Sequence, residues 1–228
     1  MKKFVYELHM HTVESSKCGV STGAEHVRRY AALGYAGVIV TDHFFNGNST
    51  VPRELPWDER IRLFTTGFNH AKEEGDRLGL SVWFGYEFHY DWNHFLTYGI
   101  TPQTLEKNPQ IMEMPLGEYV GWVRSEGGYV VHAHPFRTPG SEQIQLARNV
   151  DAVEILNANR SDGENDLARR YAELFGIAAV YGSDCHSVLQ KRLGAVTSDV
   201  RFETVDEMFA AILEAKTENA VVTDPNLN

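Results

Sequence analysis

The chain has 228 residues, of which 43% are hydrophobic and 23% charged, an ordinary globular balance with length enough for a buried core. Its formal charge is −10, without a basic face or tail, so nonspecific nucleic-acid binding lacks its usual electrostatic footing and no stable nucleic-acid partner is expected. No apolar run approaches the ~18–20 residues that span a membrane. Two cysteines, Cys18 and Cys185, cannot build a disulfide framework. Glu7 and His9 come too early for the apolar stretch of a signal peptide. A cytoplasmic location and one domain over residues 1–228 are therefore expected, with the oligomeric state left open.

Strand and helix signals alternate along the chain. Phe4–Leu8 reads as a strand, and Thr22-Gly23-Ala24-Glu25 as a capping box opening a helix that Gly34 ends. Gly37–Thr41 is a short β-branched run suited to a buried parallel strand. Ile61, Phe64, Phe68 and Ala71 recur at helical spacing. Leu80–Tyr86 and Phe95–Ile100 read as strands, and Pro102–Pro115 as irregular. Gly117–Glu126 reads as a helix, Tyr129–Ala133 as a strand, Ser141–Arg148 as a short helix and Ala152–Leu156 as a strand. Asp166–Phe175 (helix), Ile177–Tyr181 (strand) and Val205–Ala215 (helix) complete the pattern. Such alternation predicts an α/β fold with a largely parallel sheet, closed into a barrel because polar clusters follow the strands all along the chain.

Those clusters carry the chemistry. His9 and His11 follow the first strand, His43 the second, Glu87 the third. His132 and His134 end the fifth, and Asp184 and His186 follow the seventh. In parallel α/β folds the C-terminal ends of strands are where sites are built. In an extended His-x-His segment the two imidazoles point the same way and reach one metal, and Asp184-x-His186 repeats that geometry. Mixed imidazole and carboxylate ligands suit Zn, Mn or Fe. Each cluster alone has a plain reading as a hydrogen-bonded strand end. Their recurrence at four or more strand ends makes chance a poor account.

The sequence resembles the PHP (polymerase and histidinol phosphatase) family of metal-dependent phosphoesterases. The resemblance is carried by Glu7-Leu8-His9-Met10-His11-Thr12, Val40-Thr41-Asp42-His43, Val131-His132-Ala133-His134-Pro135 and Gly182-Ser183-Asp184-Cys185-His186. It implies a distorted seven-stranded β/α barrel, TIM-like, with two or three divalent metals at its strand ends. On the family pattern His9, His11, Glu87 and Asp184 match the ligands of a first metal. Glu87 would bridge to a second, held also by His94 and His134. A third would take His43 and His186. The family places Asp or His five or six residues beyond the second histidine, where this chain has Ser16 and Lys17. Glu14 and Cys18 are the nearby substitutes, with Glu14, a hard oxygen donor, preferred, and Cys18 the softer choice that would favour Zn or Fe.

The reaction implied is hydrolysis of a small phosphate ester, with a water shared by two metals about 3.5–4 Å apart attacking in line at phosphorus as a metal-bridging hydroxide. Arg137 is the leading candidate for the substrate phosphate, with Lys17, Arg160 and Arg192 behind it. His43 and His186 would protonate the leaving group if no third metal occupies them. Asp42 is read as an orienter of a ligating histidine, Glu154 as an orienter of a ligand or substrate, and His89 as a neighbour of the ligands. His132 either faces the cleft or packs in the barrel, while His26 and His70 are read as surface residues. Two other functions stay open. An amidohydrolase-type enzyme would commonly bridge its metals with a carboxylated lysine, yet no lysine lies between Lys107 and Lys191. A non-catalytic metal-binding module would show closed coordination with no open position.

Overall fold

The computed structural model describes residues 3–137 and 144–227. Phe4–Glu7 is β1, and the Thr22–Glu25 capping box opens α1 (Gly23–Ala32). Gly34, at φ 80°, turns the chain towards β2 (Gly37–Val40), which is buried throughout. The helical spacing of Ile61 to Ala71 is shared by two helices, α2 (Trp57–Phe64) and α3 (Thr66–Leu78), meeting at Thr65. β3 (Ser81–Tyr90) and β4 (Asn93–Tyr98) form a hairpin. The stretch expected to be irregular holds α4 (Pro102–Glu106), which Thr101 caps, and a 3₁₀ turn (Pro109–Glu113), each opened by the proline that suits a first helical position. Next come α5 (Leu116–Ser125), β5 (Tyr129–Ala133) and β6 (Ala152–Asn157). Of the helix expected at Ser141–Arg148, residues 141–143 lie outside the described residues and 144–148 are not helical. α6 (Asp162–Phe175) starts four residues before its expected position, because Ser161 and Glu164 form a second capping box. β7 (Ala178–Gly182), β8 (Arg192–Ser198), α7 (Val205–Leu213) and β9 (Glu218–Thr223) complete the described chain.

Among the described residues the sheet has nine strands in the order β7-β6-β5-β4-β3-β2-β1-β8-β9, so the expectation of seven is corrected. The two strands not anticipated, β8 and β9, lie beyond the last sequence motif and pair antiparallel with each other. The sheet is mixed rather than largely parallel. β1–β2, β2–β3, β5–β6 and β6–β7 are parallel, while β1–β8, β3–β4, β4–β5 and β8–β9 are antiparallel. The β3–β4 reversal passes through Asp91 and Trp92, at φ 46° and 67°, the left-handed pair that a two-residue hairpin turn requires.

The sheet curls into a nearly closed barrel. Beyond β1 and β7 the chain pairs across the gap, His11 N–H donating to Cys185 O at 2.9 Å and Cys185 N–H to His9 O at 3.1 Å. On the same side the Asn219 amide binds both Tyr181 N–H and Ala179 O, tying β9 to β7. Gly194 lies against Gly182, where a Cβ would sit 2.4 Å from the Gly182 carbonyl oxygen. This pairing sets the His9–His11 segment beside the Asp184–His186 segment. At the opposite end α7 buries Met208, Phe209 and Ile212 against Tyr6, Leu8, Ile39 and Val131, with Phe209 stacked on Tyr129 at 4.5 Å. Burial of each such side chain is worth roughly 1.5–3 kcal/mol. One end of the barrel is thus plugged by apolar side chains, and the histidine and carboxylate clusters gather at the other. No helix among the described residues is long and apolar enough to cross a membrane.

Candidate metal centre

Eight side chains from six strands or strand ends meet at the open end of the barrel. His9 and His11 continue β1, and their Nε2 atoms face each other at 3.1 Å. His11 Nε2 is 3.2 Å from Asp184 Oδ1, and His9 Nε2 is 3.5 Å from the same oxygen. Glu87, buried in β3, lies at the centre. Its Oε1 is 2.7 Å from His94 Nδ1 and 3.0 Å from His134 Nε2, and its Oε2 is 2.6 Å from His43 Nδ1. His186 sits beside Asp184, with Nδ1 2.7 Å from the Asp184 main-chain oxygen. His134 and Asp184 both adopt positive φ, 27° and 50°. Such backbone is costly for residues other than glycine, and it aims both side chains inward from the strand ends.

The donors form overlapping groups whose ligand atoms lie within 4.8 Å of one another. These are His9–Glu87–His134, His9–His11–Asp184, His43–Glu87–His94 and His11–Cys18–His43–His186. Two details show that a cation suits them. His43 Nδ1 and Glu87 Oε2 are buried and close, yet neither has a partner in hydrogen-bond geometry. The His9 and His11 Nε2 atoms face each other at 3.1 Å, so a cation, either a proton or a metal ion, must lie between them.

The electrostatics follow from burial and crowding. Burial opposes a proton on His9, but the carboxylates of Glu154, Asp184 and Glu87 outweigh it and raise its pKa to about 10. Burial also opposes a charged His43, and Glu87 beside it holds its pKa well above the usual imidazole range. Burial instead drives His11 down to about 3 and His94 to about 4. Glu87 and Asp184 stay ionised well below the ordinary carboxylate range, because the surrounding histidines overcome the cost of burial. At Cys18 burial favours the thiol, but His186 and His43 outweigh it and bring the pKa down to about 6.

Around this centre the fold supplies a supporting layer. The Glu154 carboxylate on β6 accepts from His9 Nδ1 at 2.8 Å, from His134 N–H at 2.9 Å and from the Asn157 amide at 2.9 Å. It fits only because residue 182 is glycine, where a Cβ would fall 2.2 Å from Glu154 Oε1. Ser16 donates to Asp42 at 2.6 Å and accepts from His43 N–H at 3.0 Å, and it lies 3.3 Å from His11 Nδ1. Asp42 therefore orients the histidines through Ser16 rather than directly. Glu7 is buried and accepts from the main-chain N–H groups of His9 and Ser183 and from the Tyr30 and Ser183 hydroxyls, bolting β1 to the end of β7. Neither the Ser16 nor the Glu7 role was anticipated. The only sequence signal was their nearness to a motif histidine.

A family model described as PHP-associated (PHP_C) matches residues 162–217, the span from α6 through α7. That match covers about a quarter of the chain and marks a PHP-associated region within it. No curated protein matches the chain. Among solved structures it is similar to a two-domain protein from Bacteroides vulgatus ATCC 8482 containing a predicted PHP-like metal-dependent phosphoesterase, at 13% identity and TM-score 0.74, covering 96% of this chain and 65% of that one. It is also similar to an amidohydrolase from Chromobacterium violaceum with bound sulfate and no metal, at 17% identity and TM-score 0.56, covering 93% and 97%. A third is the lesion-specific endonuclease PfuEndoQ from Pyrococcus furiosus, at 15% identity and TM-score 0.63, covering 100% and 60%. The chain thus spans about two thirds of the first of these proteins. At these identities the likeness is one of fold.

Within this fold the anticipated residues separate. His9, His11, His43, Glu87, His94, His134, Asp184 and His186 converge as described. Glu14 does not join them. Its carboxylate turns to the start of α1, accepting from Gly23 N–H at 3.2 Å and pairing with His70 Nδ1 at 3.0 Å, where the helix dipole favours an anion. Cys18 takes the place beside His43 and His186 instead. Arg137 and Arg160 line the cleft of about 1020 Å³ above the centre. Lys17 is exposed and outside that lining, although its neighbour Cys18 and its main-chain partner Asn48 both belong to it. Arg192 is also outside, paired with Asp162 at 3.0 Å. His132 packs inside the barrel, stacked on Phe95 with Nε2 3.1 Å from Asn93 Oδ1. His89 lines the cleft with its ring 4.6 Å from that of His94. His70 is exposed as expected, but His26 is fully buried, its pKa driven down to about 3 by burial.

Proposed function

We propose that this chain is a metal-dependent phosphoesterase acting on a small phosphate ester. The observation that carries the reading is the convergence of His9, His11, Glu87, His94, His134 and Asp184 on one spot with ring nitrogens and carboxylate oxygens facing each other, under a cleft that Arg137 and Arg160 line. His9, His11, Glu87 and Asp184 would hold one divalent ion, and Glu87, His94 and His134 a second. When bound, such ions supply Lewis acidity at phosphoryl oxygens and lower the pKa of water. The chain's own groups do the rest. Arg137 is exposed at the cleft rim, and Arg160 carries a buried Nε without a hydrogen-bond partner among the described residues. Two guanidinium groups there favour a dianionic phosphate and would place it over the centre. Glu154 and Ser16 hold the His9 and His11 rings so that both Nε2 atoms face inward. The formal charge of −10 favours a small ester over a nucleic-acid strand, and a cytoplasmic setting remains part of the proposal.

The test is phosphate release from a panel of sugar phosphates, nucleotides and amino-alcohol phosphates, with the protein loaded with Mn or Zn. Turnover of at least one monoester is expected. Silence across the panel from metal-replete protein, with hydrolysis of amides or lactones instead, would move the assignment to amidohydrolase chemistry.

Proton linkage gives an independent check. In the metal-free chain His9, with a pKa of about 10, and His43, well above the usual range, both carry protons at neutral pH. His11 and His94 are already neutral there. A divalent ion must displace the His9 and His43 protons, so binding is expected to release protons and apparent affinity to rise with pH towards about 10. Calorimetric titrations at pH 7 in buffers of different ionisation enthalpy measure this directly, and heats independent of the buffer would contradict it.

A further inference from the structure

Near the mouth of the cleft one donor group differs in kind from the others. His11, Cys18, His43 and His186 bring three imidazoles and a thiol within 4.8 Å of one another, with no carboxylate among them. Cys18 reaches this position because its loop is tightly folded. Gly19 N–H donates to Ser16 O, and a Cβ on Gly19 would fall 2.3 Å from Thr12 O, so only glycine permits the turn. Lys17 N–H on Asn48 O and the Ser16–Ser49 bridge fasten the loop to the segment after β2. The alternative donors nearby are already committed, Ser16 to Asp42 and His43 N–H, and Glu14 to Gly23 and His70.

We propose that Cys18, His43 and His186, with His11 beside them, form a third metal site in which Cys18 is a thiolate ligand, and that this site selects zinc over manganese and magnesium. The physical ground is ligand softness. Thiolate and imidazole suit zinc, whereas manganese and magnesium prefer oxygen. The three groups built around Glu87 and Asp184 carry that oxygen, so one cleft sorts two kinds of ion by its own donors. His43 and His186 are then ligands, not proton donors to a leaving group. The inference rests on reading the cleft as a metal centre, and is independent of the ester it hydrolyses.

Cobalt(II) loading of the full chain tests it. The wild type is expected to show a near-ultraviolet thiolate-to-cobalt charge-transfer band, which Cys18→Ser abolishes while the visible cobalt bands of the remaining sites persist. Zinc content is expected to fall by one ion per chain in Cys18→Ser, and Cys18→Asp to recover a third ion but with manganese preferred. Alkylation guards against a variant that fails to fold. In the wild type Cys18 is expected to react freely when metal-free and to be protected by zinc but not by manganese, whereas Cys185 is fully buried and gives no background. Normal metal loading without the charge-transfer band, or alkylation that zinc leaves unchanged, overturns the thiolate site alone. A wild-type chain that binds no divalent ion overturns both this inference and the proposed function.

Discussion

Glu87→Gln is expected to abolish hydrolysis and strip the centre of metal. The substitution keeps the shape of a side chain that is 1% exposed and removes only its charge. That charge faces five of the clustered imidazoles at close range. Its Oε1 lies 2.7 Å from His94, 3.0 Å from His134 and 3.7 Å from His9, and its Oε2 2.6 Å from His43 and 3.6 Å from His11. An amide offers one weaker acceptor and turns N–H donors towards ring nitrogens that need a cation. Glu87 belongs to two of the donor groups, so its loss would not be confined to one ion. An effect of about 4 kcal/mol, or ~10³-fold in kcat/KM, is in keeping with loss of metal-ion catalysis. Metal content by elemental analysis is expected to drop along with activity. A Glu87→Gln protein that keeps two ions and near-normal turnover would remove Glu87 from the centre.

Glu154→Gln is expected to weaken divalent-metal binding by ~10–100-fold, although Glu154 belongs to none of the donor groups. It acts as a positioning residue. One carboxylate orients the His9 ring through Nδ1 and holds the main chain of His134, whose φ of 27° the backbone alone does not favour. A glutamine presents one oxygen where two are in use, and its NH₂ must face the His134 N–H, the Asn157 amide or the His9 ring. Calorimetric metal titration reads the effect directly. KM for the phosphate ester is expected to change little, since Arg137 and Arg160 are untouched, while kcat falls at limiting metal. Unchanged metal affinity would reduce Glu154 to a packing role.

The motif residues were legible because their geometry is local. In an extended segment alternate side chains share a face, so His9-x-His11 and Asp184-x-His186 each announce a pair of ligands without knowledge of the fold. The capping boxes at Thr22 and Ser161 are equally local, although the second was passed over for a helix start at Asp166. The hairpin between β3 and β4 was less visible. Its turn is Asp91-Trp92, and tryptophan at φ 67° carries none of the Asn-Gly or Asp-Gly signature that marks such turns. β8 and β9 were missed because they carry no motif and were not set apart as strands from the flanking loops.

The sequence by itself determined the α/β alternation, the PHP resemblance and eight donors in chain order, since each depends on residues a few positions apart. Only the tertiary structure decided between Glu14 and Cys18, removed Lys17 and Arg192 from the cleft, buried His26 and turned His132 into the barrel. Those outcomes depend on where a loop is fastened and which strand lies opposite, as with Lys17 N–H on Asn48, Glu14 at the start of α1 and Cys185 paired across to His9 and His11. Contacts between segments so far apart in the chain are set by closure of the sheet, and no spacing along the sequence encodes them.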